Sequence, residues 1–308
     1  MDSRAKALKD RLSRMRGERG TIEQHWTEIA ELMSPFRDDF ITKRTDGEKR
    51  TRQIYDGTAG NAAENLASAL WGMATNSANV WFELRAEDDD LAEDQAVKIW
   101  LDAVTKRMRQ AFAAGGQRFY TRVPDLYSDL VHFGTGVFYV EEIVGSRELF
   151  FSSRHLAECY IAENRYERVD TLFRCFMWTA RQAKQAWGDK IGPKLMMAAE
   201  KEPERKFEFL HAVMPAEEYD GKKRGLLKDQ GFVGVYLSTE TGDIIAEQGY
   251  YDFPYQVPRW GQRTRSAYGE SPAMLALSDT KMLNQMARTT IVGAQKQIGR
   301  STRLNSSH

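Results

Sequence analysis

The spacing of apolar residues changes twice along this chain, and these changes limit the folds open to it. Up to residue 133, apolar side chains recur at helical intervals. After Gly134-Thr135-Gly136 the pattern becomes that of strands, beginning with Val137 to Val140. Helical spacing returns after Pro272. Helices followed by strands and then a helix predict an α+β fold rather than an alternating parallel-sheet enzyme.

The N-terminal part predicts two successive helices. The first is basic and amphipathic, and we expect it to end near Gly17 and Gly20. The second is predicted to begin at a capping box formed by Thr21 and Gln24 and to stop before Pro35.

Besides a short helical stretch that contains Phe119, Leu126, Tyr127 and Leu130, two further helices are predicted before the strands. One covers Thr58 to Met73 and is rich in small residues, so it can pack closely against a neighbour. The other covers Val97 to Phe112, follows an acidic run over residues 83–94 and ends at Gly115-Gly116.

The middle of the chain contains six strand candidates and one interrupting helix. That helix is predicted to begin at a capping box of Thr179 and Gln182 and to end at Gly188. The strand candidates are residues 137–140, 149–151, 171–178, 207–213, 232–237 and 244–245.

Composition removes several functional classes. The 44 Lys and Arg residues balance 44 Asp and Glu residues, so net charge gives the whole chain no attraction to nucleic acid or membranes. Cys159 and Cys175 suggest neither a disulfide framework nor a zinc site, which favours a reducing compartment. No run approaches the ~18 apolar residues of a membrane span, and the N-terminus lacks a signal-peptide core. We therefore expect no membrane partner.

The sequence predicts no catalytic residue, no cofactor and no metal site. Gly134 and Gly136 lack the third glycine of a dinucleotide loop and precede a strand instead of following one. The five histidines are scattered, with no two at helical spacing. Glu141 and Glu142 are adjacent on a strand and would point to opposite faces. These residues favour a protein that works by binding or assembly.

The last third of the chain contains motifs that resemble a known family. Pro258-Arg259-Trp260, Tyr268 to Asp279 and Lys281 to Met286 resemble the portal, or head-to-tail connector, proteins of T7-like short-tailed bacteriophages. Further matches occur upstream in the expected order: the opening helix with Trp26, the Thr58 to Met73 helix, Phe133 to Gly136, and Trp178 to Ala183.

The resemblance implies a homo-oligomeric ring, a dodecamer for the full-length protein, at one vertex of the capsid. Double-stranded DNA would be packaged and ejected through its channel. Terminase, scaffold, capsid and tail proteins would be its partners, and the ring itself would hydrolyse nothing. The subunit would belong to the virion and would occupy the host cytoplasm during assembly.

The resemblance also implies roles for individual residues. Gly134 and Gly136 would lie at the junction between the N-terminal helices and a β-rich wing. Ser271 can cap the following helix and Pro272 suits its first position. The turn and the start of a stem helix along the channel would involve Tyr268, Gly269, Ser271, Pro272, Asp279 and Asn284. Either DNA phosphates or a neighbouring subunit would meet the basic residues Lys281, Arg288 and Lys296.

Four segments follow from these matches. Residues 1–135 form the N-terminal helical part of the wing, residues 136–262 its β-rich region, and residues 263–299 the first stem-type helix. Residues 300–308 are a polar string, read either as a foreign tail or as a natural disordered one. Because family members are longer, we expect the chain to be an N-terminal fragment of a portal subunit.

Two other functions stay open on the sequence. A metal-dependent nucleic-acid enzyme would use acidic residues such as Asp88, Asp89 and Asp90, although a solvated helix entry also accounts for them. A cytoplasmic binding module would instead recruit partners through the basic helix over residues 1–20.

Overall fold

In a computed structural model of the chain, the structure describes residues 2–37, 40–41, 50–114, 119–143, 145, 148–219, 230–263 and 266–304. The helices are α1 (Ser3–Met33), α2 (Thr58–Ala74), α3 (Asp89–Glu93), α4 (Gln95–Ala113), α5 (Phe119–Phe133), α6 (Ala180–Trp187), α7 (Gly192–Lys201), α8 (Ala216–Tyr219) and α9 (Pro272–Leu304). The strands are β1 (Val137–Ile143), β2 (Glu148–Arg154), β3 (Cys159–Glu163), β4 (Val169–Thr179), β5 (Lys206–Pro215), β6 (Phe232–Ser238), β7 (Ile244–Tyr250) and β8 (Tyr255–Gln256). The predicted α+β class is confirmed.

A single helix replaces the two predicted at the N-terminus. α1 continues through Gly17 and Gly20, so the predicted break is wrong and Thr21 lies in mid-helix. Glycine costs a helix interior only about 1 kcal/mol relative to alanine. Packing outweighs that cost, because Leu12 is buried against the second sheet and Trp26 lies in the main core.

The acidic run before α4 caps helices, as the sequence indicates. The Asp88 carboxylate accepts a hydrogen bond from the backbone N–H of Asp90 at 2.9 Å, and the Asp94 carboxylate accepts one from Ala96 at 2.7 Å. These carboxylates satisfy backbone donors at the starts of α3 and α4. The predicted end of α4 at Gly115-Gly116 lies outside the described residues.

The Thr58 to Met73 helix is confirmed as α2, but its buried stripe differs from the apolar pattern. Ala63 and Ala67 are buried, whereas Met73 is 78% exposed. The small alanines allow α2 to pack against Val131 of α5.

Two antiparallel sheets hold the described strands. β1 is the central strand of the first sheet, in the order β2-β1-β8. The second sheet has the order β3-β4-β5-β6-β7. All six predicted strands are present, whereas β3 and β8 were not predicted.

The predicted helix α6 is confirmed with its capping box. The Thr179 side chain accepts from the backbone of Gln182, and the Gln182 side chain accepts from the backbone of Thr179. The following α7 was missed, because the Gly192-Pro193 pair at its start is typical of turns.

The main core joins the N-terminal helices, both sheets and the last helix. Its buried members include Trp26 of α1, Phe133 of α5, Tyr139 of β1, Leu172 of β4 and Leu277 of α9. The base of α9 is therefore anchored in the core. None of the helices within the described ranges has the length and apolar character needed to cross a bilayer.

Candidate functional site

Two glycines predicted at separate sites lie in direct contact. Gly134 follows α5 with a φ of +73°, a conformation that L side chains rarely adopt. A Cβ added at Gly134 would stand 2.5 Å from the backbone oxygen of Gly269. A Cβ added at Gly269 would stand 2.3 Å from the backbone oxygen of Gly134. This backbone approach requires glycine at both positions.

Hydrogen bonds from adjacent residues hold the two backbones together. The N–H of Gly269 donates to the Thr135 hydroxyl at 2.8 Å, and the N–H of Trp260 donates to the oxygen of Gly134 at 2.9 Å. Gly136 is also closely packed, because a Cβ there would stand 2.4 Å from Cδ1 of Leu126. Sequence predicted roles for these glycines but gave no signal that Gly134 and Gly269 touch.

Ser271 links α5 to the start of α9. Its hydroxyl accepts from the backbone N–H of Met274 at 3.0 Å and donates to the backbone oxygen of His132 at 2.8 Å. The first bond is the predicted N-terminal cap, and Pro272 is the first residue of α9. Gly134, Thr135, Gly136, Gly269 and Ser271 are called the junction cluster below.

Tyr268 anchors the turn before α9. Its hydroxyl accepts from the backbone N–H of Ile161 at 3.2 Å, and its ring meets that of Trp26 edge to face at 5.2 Å. Burial raises the pKa of Tyr268 to about 12. The Trp26 indole in turn donates to the backbone oxygen of Phe133 at 3.1 Å. These contacts fix α1 and the turn against the end of α5.

A buried ion pair near the junction cluster joins Asp129 of α5 to Arg37, which follows α1. Nε of Arg37 is 3.2 Å from a carboxylate oxygen of Asp129, which has no solvent exposure. Burial raises the pKa of Asp129 to about 7, although Arg37 opposes the shift. Burial also lowers the pKa of His132, whose Nδ1 lies 2.8 Å from the backbone oxygen of Ser128. The sequence did not predict that Arg37 and Asp129 pair or that Asp129 and His132 are buried.

Asn284 on α9 holds the segment that precedes α2. Its side-chain oxygen accepts from the backbone N–H groups of Tyr55 at 2.7 Å and Asp56 at 3.2 Å. Its amide nitrogen donates to the backbone oxygen of Gln53 at 2.9 Å. The residue therefore ties the predicted stem helix to the N-terminal part.

The other predicted positions on α9 differ in their surroundings. Lys281 pairs with Glu28 of α1 at 2.6 Å, and the Arg288 guanidinium lies 5.8 Å from the centre of the Tyr55 ring. Asp279 and Lys296 are exposed on the helix surface.

The outer part of α9 exposes apolar side chains on two faces. Leu275, Met282 and Met286 form one stripe, and each is more than half exposed. The opposite face buries Leu277 at its base, but Ile291 and Ile298 on the same face are exposed. α9 therefore begins in the core, and the apolar side chains of its described outer part are exposed in this chain.

Basic residues of α1 form ion pairs and hydrogen bonds within the chain. Arg11 pairs with Glu218 at 2.6 Å, and the ammonium group of Lys9 donates to the backbone oxygen of Thr239 at 2.7 Å. Arg4 pairs with Glu247 at 2.8 Å. The basic pattern is thus accounted for by contacts with the second sheet and its flanking elements.

The described residues contain no group of three or more His, Cys, Asp or Glu side chains that could hold a metal ion. Asp88 acts as a helix cap, and Asp89 and Asp90 occupy the first turn of α3.

Comparison with known proteins identifies the family. The family described as bacteriophage head to tail connecting protein matches residues 5–307. The chain belongs to this family. Over 286 residues it is 29% identical to the portal protein of Salmonella phage epsilon15. Over 283 residues it is 31% identical to a protein described as the probable portal protein of Bordetella phage BPP-1.

The family match confirms the resemblance found in the sequence. Each alignment covers 90% of this chain but 50% of the relative, so the chain spans about half the length of these two curated relatives. The residues that match the family include the entire junction cluster, and with it Gly134 and Gly269.

Proposed function

We propose that the chain is part of a portal subunit, a structural protein without enzymatic activity. Copies of the complete subunit form a ring at one capsid vertex, with twelve copies as the expected number. The ring forms the channel through which double-stranded DNA is packaged and ejected, and it connects head to tail.

The exposed apolar surface of α9 is the observation that carries this proposal. Soluble monomers rarely expose contiguous apolar patches of large area. Here Leu275, Met282 and Met286 form one stripe of α9 and are exposed at 78%, 56% and 59%, on a helix whose base is fixed in the core. A ring places a neighbouring subunit beside every such helix through a repeated head-to-tail interface.

Within the ring, residues 263–299 act as the first stem-type helix with its preceding turn, and α9 supplies the helix from Pro272 onward. Residues 1–135 and 136–262 form the helical and β-rich parts of the wing, and the junction cluster joins them to the stem. Lys281 is engaged with Glu28, which supports a positioning role for it. Arg288 and Lys296 face either DNA phosphates or a neighbouring subunit.

The proposed partners are terminase during packaging, scaffold and capsid proteins during assembly, and tail proteins in the finished particle. DNA passes through the channel and is not held tightly, because a strong grip would oppose sliding. The protein is assembled in the host cytoplasm and resides in the virion.

The test compares this chain with a version extended at its C-terminus by the further segment that the family resemblance implies. Light scattering and negative-stain microscopy measure mass and shape. Rings from the extended chain are expected, and Met286→Glu should weaken them by placing a charge in the subunit contact. Gln285→Glu adds the same charge at an adjacent exposed polar position and should have a smaller effect. A monomeric extended chain at high concentration, with scaffold protein present, contradicts the proposal.

A further inference from the structure

An open cleft lies between α4, α5 and the loop that follows α2. Its volume is about 580 Å³, within the roughly 300–1,000 Å³ typical of small-ligand sites. The polar side chains that line it are Ser77, Lys106, Arg109, Gln110, Tyr120 and Thr121.

The cleft carries positive charge without a balancing acid. Lys106 and Arg109 line it, and no carboxylate occurs among its described lining residues. Elsewhere, Arg37 pairs with Asp129 and Arg174 pairs with Glu158, whereas Arg154 lies over the rings of Tyr139 and Phe150. Within the described part of the chain, neither cation of the cleft forms a salt bridge.

Two groups of the cleft are fixed in orientation. The Arg109 guanidinium donates through Nη2 to the backbone oxygen of Asn79 at 3.1 Å, while its Nε is buried with no hydrogen-bond partner in the described structure. The Tyr120 hydroxyl accepts from the Trp81 indole at 3.1 Å, so its own hydrogen is available to an acceptor. The buried Nε cannot reach a ligand in the open cleft, so the donors available to an anion are the other N–H groups of the Arg109 guanidinium and the Tyr120 hydroxyl.

We propose that this cleft binds a phosphate group. An ammonium, a guanidinium and several hydroxyl donors around one cavity match an anion that has several acceptor oxygens. The group comes either from the DNA backbone or from a free phosphoryl compound, and both present the same oxygens. The inference is independent of ring assembly, because the cleft lies within one subunit and contains no residue of α9.

Nuclear magnetic resonance of the 308-residue chain provides the test. Inorganic phosphate is titrated while the indole N–H of Trp81 is followed, with its signal assigned by a Trp81→Phe variant. We expect a saturable shift, weakened by added sodium chloride. Lys106→Ala should weaken binding by about tenfold, as expected for a lost charge-assisted hydrogen bond. Lys98→Ala removes the same charge from the same helix outside the cleft and should leave binding nearly unchanged.

A second titration identifies the source of the phosphate. A duplex oligonucleotide that shifts the same signal at lower concentration than inorganic phosphate supports a DNA contact. A mononucleotide that does so while the duplex has no effect supports a free phosphoryl ligand. Absence of a saturable shift with all three probes overturns the proposal, as does equal weakening by Lys98→Ala and Lys106→Ala.

Discussion

Gly134 and Gly269 pack backbone against backbone, so closely that neither position has room for a side chain. One glycine follows α5 and the other lies in the turn before α9. Thr135 adds a hydrogen bond across the same contact. This backbone contact, together with the Thr135 and Ser271 hydrogen bonds, sets the direction in which α9 leaves the core.

Substitution of either glycine should destabilise the fold. Gly269→Ala places a Cβ 2.3 Å from a backbone oxygen that cannot move aside freely, and we expect a loss of roughly 3 kcal/mol in the free energy of unfolding. Gly134→Ala adds the strain of a positive φ. Urea denaturation followed by circular dichroism measures both losses.

Gly72→Ala is the matched control for these variants. A Cβ at Gly72 meets nothing within 4 Å, and the residue lies inside α2. Alanine should therefore leave stability unchanged or raise it by about 0.5–1 kcal/mol. Equal losses at Gly72 and Gly269 would show that the backbone contact has no special role.

Ser271→Ala should reduce stability by about 1–2 kcal/mol, because it removes the cap of α9 and the hydrogen bond to the oxygen of His132. Ser271→Thr retains the hydroxyl and should recover part of the loss. Thermal unfolding of both variants gives the comparison. A Thr variant less stable than the Ala variant would show that space at this buried position matters more than the hydroxyl.

Asn284→Ala should release the segment before α2 without unfolding the protein. The backbone N–H groups of Tyr55 and Asp56 lose their acceptor, so their hydrogen exchange should accelerate by about fivefold, which corresponds to roughly 1 kcal/mol. Gln285→Ala, at an exposed neighbouring position, should leave these rates unchanged. Unchanged exchange in Asn284→Ala would mean that other contacts hold the segment.

Asp129 should make the protein less stable as pH rises. Its pKa is about 7 in the folded chain against 3.8 without burial, so the folded state binds more protons than the unfolded state between these values. The contribution of Asp129 to the free energy of unfolding is at its maximum below about pH 4 and decreases as the pH rises to about 7. His132 has the opposite effect, because burial lowers its pKa below 6.5. Its contribution to the free energy of unfolding is therefore lost as the pH falls below 6.5.

Asp129→Asn isolates the carboxyl from the histidine. The variant keeps the shape of a protonated Asp129, so both proteins should be similarly stable near pH 4. The stability of the parent relative to the variant should then fall up to pH 7 and remain level above it. A relative stability that rises over this range would show that attraction to Arg37 exceeds the cost of burial.

Much of the secondary structure follows from local sequence. The apolar run from Val137 to Val140 specifies β1, the Thr179 and Gln182 pair specifies the start of α6, and Ser271 with Pro272 specifies the start of α9. Each depends on residues only a few positions apart, which local hydrogen bonds and side-chain spacing determine.

Local signals failed where distant contacts dominate. α1 continues through Gly17 and Gly20 because its buried face packs against the second sheet. This packing outweighs the loss of helix stability that the two glycines cause. α4 exposes Trp100 at 64%, although its apolar spacing indicates a buried position. No local pattern indicates which neighbours a helix will meet.

The sequence by itself determined the α+β order, the start of the last helix and the connector family, because these depend on periodicity, capping and motif order. The tertiary structure alone decided that Gly134 meets Gly269, that Asn284 holds the segment before α2, and that Met282 and Met286 on α9 are exposed. Such pairings depend on the closure of long loops around a common core, and residue spacing does not encode that geometry.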